Sequence, residues 1–112
     1  YWAIARKDNN ELIGTMGFDD FDRYNRRAEI NYDISKDYWR KGIVSRGVKV
    51  LLKYGFEELN LIRIYAITLD NNIASNKLLE KCGFQKEGIL RKYRYFEGKF
   101  YDVLMYSYIG EN

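Results

Sequence analysis

The sequence predicts an α/β domain with a mixed sheet, a central strand–helix–strand unit and two main helices. Three observations carry this expectation. Ile30, Tyr32 and Ile34 alternate with Glu29, Asn31 and Asp33, the two-residue period of a half-buried strand. Val44, Val48, Leu51, Leu52, Gly55 and Leu59 then recur at three- and four-residue steps, as on one face of a helix. Arg63–Leu69 follows as a short run rich in β-branched and aromatic residues, and strand–helix–strand at this spacing implies a parallel pair with a right-handed crossover.

The remaining elements fall in order around that unit. Trp2–Lys7 and Leu12–Phe18 are apolar runs separated by Asp8-Asn9-Asn10-Glu11, which reads as a hairpin. Gly14 and Gly17 inside the second run predict a bulge or a close backbone approach. Asp19–Arg26, with Phe21 and Tyr24, reads as a polar loop leading into the strand Arg27–Ile34. The central helix is expected over Gly42–Leu59. Gly55 within it lowers helix stability by up to ~1 kcal/mol relative to Ala, which predicts a tight packing point. Asp70-Asn71-Asn72 starts the second helix with Asn72 as N-cap, Ala74, Leu78 and Cys82 as its inner face and Gly83 just past its end. Ile89–Phe96 and Phe100–Tyr108, around Glu97-Gly98-Lys99, form an aromatic-rich second hairpin.

Composition excludes several classes of function. The 112 residues suit a single domain spanning 1–112, and an apolar content of 46% argues for a packed core rather than a disordered tail. A net charge of +3 is compatible with an anionic ligand but weak for a nucleic-acid binder, so no nucleic acid is expected as partner. The sequence holds no apolar run approaching about 18 residues and no signal-peptide pattern, so no membrane partner and a cytoplasmic location are expected. Cys82 is the sole cysteine and has no internal disulfide partner. Histidine is absent, which removes Ser/His/Asp and Cys/His nucleophilic machinery, His-ligated metals and imidazole acid–base chemistry. Proton transfer falls to Glu, Asp, Tyr, Lys, Ser, Cys or water.

The chemistry-bearing stretch is the junction between strand and central helix, where Arg40, Lys41 and Gly42 stand at the helix start with Arg46 and Lys49 beyond. Unpaired N–H groups and the positive end of the macrodipole can hold a phosphate there, and Gly42 lets it approach the backbone. The pattern points to a pyrophosphate-bearing ligand, with a solvated basic helix start as the plainer alternative. Asn72 and Ser75 open the second helix past a strand end, where an open α/β layout places its binding crevice. They are ligand contacts or simply capping groups. Glu29, flanked by Ala28 and Ile30, is either a partly buried carboxylate able to take a proton from an amine or a solvent-facing strand residue. Cys82 reads as core, Arg91, Lys92 and Arg94 as a solvated face, and the tyrosines as strand packing with none singled out as an acid.

Ala28-Glu-Ile-Asn-Tyr-Asp-Ile34, Tyr38-Trp-Arg-Lys-Gly-Ile43 and Asn72-Ile-Ala-Ser-Asn-Lys-Leu-Leu-Glu-Lys-Cys-Gly-Phe-Gln-Lys-Glu-Gly88 together resemble the GNAT superfamily of N-acetyltransferases. The run from Asn72 to Gly88 followed by the late Asp102 to Tyr106 spacing is the specific part of the match, and within the superfamily the chain most resembles the RimJ/RimL branch, which acetylates the N-terminal amine of ribosomal proteins. The resemblance implies a mostly antiparallel sheet and direct transfer of an acetyl group from acetyl-CoA, as co-substrate, to a primary amine without a metal. It implies that Ile34 offers backbone groups to the thioester and pantetheine arm and that Arg40, Lys41, Gly42, Ile43, Val44 and Ser45 wrap the coenzyme A pyrophosphate. Asn72 would bond the pantetheine side, Ser75 would lie near the sulfur, and Glu29 matches a strand glutamate that serves as general base. Four departures stand beside this. Val44 replaces a usual Gly or Ala, and Arg46 and Gly47 replace a frequent Glu and Ala. Leu79 occupies the position of a Tyr general acid. The family's first strand and two helices have no counterpart, so an N-terminally truncated domain is expected, with homodimer formation left open. A non-catalytic acyl-CoA-binding module and a small nucleic-acid-binding domain that stacks bases on Tyr, Phe and Arg are the rival readings.

Overall fold

The computed structural model describes residues 2–5, 12–35 and 42–110. Among them the chain forms β1 (Trp2–Ala5), β2 (Leu12–Asp22), β3 (Arg27–Ile34), α1 (Ile43–Glu57), β4 (Arg63–Leu69), α2 (Ile73–Lys81), β5 (Gln85–Phe96) and β6 (Lys99–Ile109). The strands make one sheet in the order β1-β2-β3-β4-β6-β5, in which only the β3–β4 pair is parallel. The mixed, mostly antiparallel sheet, the central strand–helix–strand unit and both hairpins stand as expected. The first hairpin's turn, residues 8–11, lies outside the described residues.

Alternation decides what each face of the sheet carries. Ala28, Ile30 and Ile34 on β3, Ile64 and Ala66 on β4, and Leu104 and Tyr106 on β6 point to the helix side. They pack with Val44, Val48, Leu51 and Leu52 of α1 and Leu79 of α2 in one buried cluster. Among the described residues no helix lies on the other face, where Glu29, Tyr65 and Ile67 are half-buried. The glycines fit this packing. A Cβ on Gly55 would lie 2.8 Å from Ile64 Cδ1 and 3.1 Å from Phe18 Cζ, so the helix glycine sits at the expected tight crossing. A Cβ on Gly47 would overlap Met16 Sδ, so the small residue on α1 is matched by a large one on β2.

Gly14 is the close backbone approach. It pairs with Ile34, and a Cβ there would overlap the Asp33 carbonyl oxygen and lie 2.8 Å from Ile34 Cα. Backbone cannot swing aside as a side chain can. Gly14→Ala is therefore expected to destabilise the fold by about 1–3 kcal/mol, read as a lower denaturant midpoint at unchanged slope.

Tertiary pairing overrode local polarity in two places. The loop expected over Asp19–Arg26 is instead strand as far as Asp22, with a register shift between Asp19 and Asp22, and the turn is confined to residues 23–26. A cross-strand bond from Asn31 Nδ2 to Asp19 holds the extension, and the turn is closed by the Asn25 backbone N–H and Nδ2, which both donate to the Asp22 carboxylate at 2.9 Å. On α2 the inner face is Ser75, Leu79 and Cys82, whereas Ala74 is exposed, so the face is turned by one residue from the expected Ala74, Leu78, Cys82 set. Leu78 packs at its margin. Two boundaries also move: α1 ends at Glu57 rather than Leu59, and β5 begins at Gln85 rather than Ile89.

The open face is pinned by Glu87 on β5. Its carboxylate accepts two bonds from the Arg63 guanidinium, each 2.7 Å, and a third from the Ser107 hydroxyl at 2.6 Å, so three strands are joined. These donors favour the ionised form and pull the carboxyl from its ordinary 4.5 down to about 2. A depressed carboxyl pKa adds stability that is present above about pH 4.5 and is lost as pH falls toward 2. Because both side chains are partly solvated, Glu87→Gln is expected to lower stability at neutral pH by only about 1 kcal/mol. Denaturation profiles of the two proteins should converge in strong acid.

Candidate functional site

The parallel pair β3–β4 is hydrogen-bonded only over Arg27–Arg63, Ala28–Ile64 and Glu29–Tyr65. Beyond Glu29 the strands part, and β3 continues to pair with β2 as far as Ile34 while β4 pairs with β6 as far as Leu69. The gap is a cavity of about 240 Å³, lined by Asn31, Tyr32, Thr68, Asn72, Ser75 and Arg94 among others. Asn31 and Tyr32 are successive strand residues and so point to opposite faces, which makes the cavity an opening through the sheet.

On the helix side its polar groups are tied together. The hydroxyls of Tyr32 and Ser75 lie 2.6 Å apart. Ser75 is buried at 3% exposure, and its backbone N–H donates to Asn72 Oδ1 at 3.2 Å, the N-cap bond of α2. The buried Thr68 hydroxyl donates to Asn76 Oδ1, and Asn76 Nδ2 donates to the Asp70 carbonyl at 3.3 Å, fixing the start of α2 against the end of β4. Burial pushes the Tyr32 phenol above its ordinary value of 10, and the bond to Ser75 draws it partly back. The capping role foreseen for Asn72 is real, and it is also what aims Ser75 into the opening.

On the open side stands Glu29, half-buried, beside a second hollow of about 320 Å³ lined by Asp20, Arg27, Arg63, Tyr65 and Tyr93 among others. Burial raises its carboxyl above the ordinary 4.5; Asp20 and Asp19 add to this, while Arg94 and the hydrogen bond with Asn31 oppose it. Glu29 and Ser75 are therefore separated by the thickness of the sheet, with the opening between β3 and β4 joining their two sides. Arg94 lines that opening rather than belonging to a purely solvated face, while Arg91 and Lys92 are exposed as expected.

The start of α1 is the second part of the site. Gly42 is the N-cap residue in the left-handed region, at φ 73°, and no side chain caps the helix. The first turn carries no acidic residue, so the N–H groups of Ile43, Val44 and Ser45 form the positive end of the dipole. A Cβ on Gly42 would lie 3.2 Å from Arg46 Nη1, which places the Arg46 guanidinium against the same turn. Val44 and Ser45 are buried, and the Ser45 hydroxyl is 3.8 Å from Cys82 Sγ, so both reach this turn through their backbone alone. Ile34, at 5% exposure, ends β3 beside Gly14. Arg40 and Lys41 lie outside the described residues.

Two motif residues have structural work. Asp102 accepts the Lys92 backbone N–H at 2.8 Å, steadying a register shift in β5, and the buried Tyr106 donates to Glu80 at 3.1 Å. Leu79 is fully buried in the core. Tyr32 is the residue overlooked in the sequence as part of the site; Arg46 stood there only as a nearby cation, and Arg94 was read as solvated surface. For Tyr32 a signal exists: it alternates with Ile30 and Ile34, and a hydroxyl carried to the inner face of a sheet requires a partner.

Residues 1–85 match the family described as Acetyltransferase (GNAT) domain. An uncharacterized N-acetyltransferase, YoaA of Bacillus subtilis (strain 168), is 48% identical over 96% of this chain and 61% of its own length. A crystal structure of ribosomal-protein-S5-alanine acetyltransferase from Vibrio fischeri superposes with a TM-score of 0.89 at 33% identity, covering 94% of this chain and 58% of that one. The F149A mutant of a spermidine N-acetyltransferase from Vibrio cholerae superposes at 0.88 with 27% identity over 96% and 63%. The chain thus spans about three-fifths of the length of such curated relatives.

Proposed function

Because this chain belongs to the GNAT acetyltransferase family, we propose that it moves an acetyl group from acetyl-CoA to a primary amine by direct attack, within one acetyltransferase domain to which residues 1–112 belong. The observation that carries the reading is the opening between β3 and β4, with a carboxylate on one side and a hydroxyl pair on the other. The pantetheine arm enters between the strands, running along Ile34 and Asn72, and the pyrophosphate rests on the N–H groups of Ile43, Val44 and Ser45 at Gly42, with Arg40, Lys41 and Arg46 supplying charge. The amine arrives on the open face, where Glu29 accepts its proton directly or through water. Sulfur departs on the helix side, next to Ser75. Holding both reactants in line supplies most of the rate, since the thioester is already activated.

The acceptor is a protein N-terminus or a small amine. The first fits the ribosomal-protein branch, to which the Vibrio fischeri enzyme's name points, and the second fits the spermidine enzyme. Titration calorimetry of the chain with acetyl-CoA, against desulfo-coenzyme A and ATP, tests the coenzyme site. Selective micromolar binding supports it, and equal affinity for ATP refutes it. A second reading, a non-catalytic acyl-CoA-binding module, is favoured by one observation: Leu79, at the position where the family resemblance implies a tyrosine acid, is apolar and fully buried. Saturation by acetyl-CoA with no thiol release from either a peptide N-terminus or spermidine would select it.

A further inference from the structure

The reaction just described needs a proton at sulfur, and Leu79, sealed in the core, has none to give. Ser75 alone is a poor source, because an aliphatic hydroxyl is a far weaker acid than a thiol. Yet Ser75 is not alone. Its Oγ lies 2.6 Å from the Tyr32 hydroxyl, both groups line the opening between β3 and β4, and the N-cap bond from Asn72 fixes the turn that carries Ser75. We propose that Tyr32 is a positioning residue that donates to Ser75 Oγ, so that Ser75 turns its own proton toward the departing sulfur and passes on the one it receives. This rests on the acetyl-CoA reading above.

Either hydroxyl can donate across this 2.6 Å contact, and the phenol, a stronger acid than an aliphatic hydroxyl, favours that direction. A hydroxyl that accepts from one neighbour is polarised to donate to the next, and the effect grows in a site shielded from water. Burial holds the Tyr32 phenol above its ordinary value, so it keeps its proton across the neutral range. The titratable groups facing the pair are the Cys82 thiol on α2 and, across the opening, Arg94 on β5. Tyr32 comes from the strand that also carries Glu29, three residues earlier and on the opposite face. One strand thus sets the proton acceptor on the amine side and the proton supply on the sulfur side. In the step itself the amine nitrogen forms its bond to the thioester carbon and the carbon–sulfur bond breaks. Sulfur leaves with the electron pair and takes the Ser75 proton as Ser75 takes that of Tyr32. The surplus proton on nitrogen passes to Glu29. Release of that proton to water and uptake of one by the Tyr32 phenolate restore the site.

The test uses the product coenzyme A itself and needs no acceptor. The thiol of bound coenzyme A is titrated by its ultraviolet thiolate absorbance in the wild-type chain, Tyr32→Phe, Ser75→Ala and the double variant, with affinity measured in parallel at neutral pH. Phenylalanine keeps the ring that packs beside Ser75 and removes only the hydroxyl. A relayed donor lowers the pKa of the bound thiol, so Tyr32→Phe should raise it by about one unit while coenzyme affinity stays within about twofold. Ser75→Ala should raise it at least as far, and adding Tyr32→Phe to Ser75→Ala should change nothing more. An unchanged thiol pKa in Tyr32→Phe, or a shift that persists without Ser75, overturns the proposal and leaves the coenzyme site standing. Failure of the folded wild-type chain to bind coenzyme A overturns the acetyl-CoA reading and this inference with it. If Tyr32→Phe fails to fold, Ser75→Ala decides: no shift in the thiol pKa there refutes the relay.

Discussion

Glu29→Gln is expected to lower turnover by about 100-fold while coenzyme A affinity changes by less than about twofold. The reason lies in where the side chain stands. Glu29 is half-buried on the open face, beside the opening but across the sheet from Ser75, so in the proposed reaction it would meet the amine and not the coenzyme's phosphates. Burial first, then Asp20 and Asp19, lift its carboxyl above the ordinary 4.5. A base must be ionised, so wild-type activity should rise with pH through that raised value, and the glutamine variant should lose this acid limb. The sign for stability is opposite. A folded-state carboxyl pKa above the unfolded one means that ionisation costs stability once pH exceeds the unfolded value, and the full cost is reached above the raised pKa. Glu29→Gln should therefore be neutral or slightly stabilising at pH 7, a change of the kind seen where a site trades stability for chemistry. Steady-state kinetics across pH, with thermal denaturation of the same samples, reads both. Undiminished turnover at all pH values would remove Glu29 as the base.

Gly42→Glu is expected to weaken coenzyme A binding by about 100-fold or more, with circular dichroism unchanged. Three effects act together on this residue. Its φ of 73° lies in the left-handed region, where a side chain costs about 1–2 kcal/mol. A Cβ would press against Arg46 Nη1 at 3.2 Å, displacing a cation from the turn. The added carboxylate would then occupy the end of the helix dipole that the pyrophosphate needs. Gly42→Ala carries the first two effects without the charge, so it should fall between wild type and Gly42→Glu. The gap between the two variants should shrink as salt is raised. If calorimetry finds Gly42→Glu binding like wild type, the pyrophosphate lies elsewhere.

Much of this site was legible in the chain before its fold. Glu29 and Gly42 stand out because their signals are local: a carboxylate between two apolar strand neighbours, and a glycine among cations where strand period gives way to helix period. Asn72 was legible as an N-cap for the same reason. Arg46 was visible only as a nearby cation, since the sequence does not say that its guanidinium lies against Gly42. The turn expected over Asp19–Arg26 is shorter in the fold because Asp19 looks like a turn residue until its cross-strand partner, Asn31, is known, whereas Asp22 does close the turn through Asn25. The face of α2 was placed one residue off because Ala74 and Ser75 are both small. What chose between them was Tyr32, which meets Ser75 across 43 residues of chain.

Local patterning in the chain suffices for the periods: the cores of the strands, the starts of the two helices, and the inward faces of β3 and α1. Those follow from side-chain size and polarity repeated every two or every 3.6 residues, and they need no distant partner. That β3 and β4 part after Glu29, setting a carboxylate and a tyrosine–serine pair on opposite sides of one opening, emerges only in the folded chain. Strand divergence is a relation between segments joined by α1. It depends on β2 and β6 holding their neighbours after β3 and β4 have stopped holding each other, and no single stretch of chain encodes it.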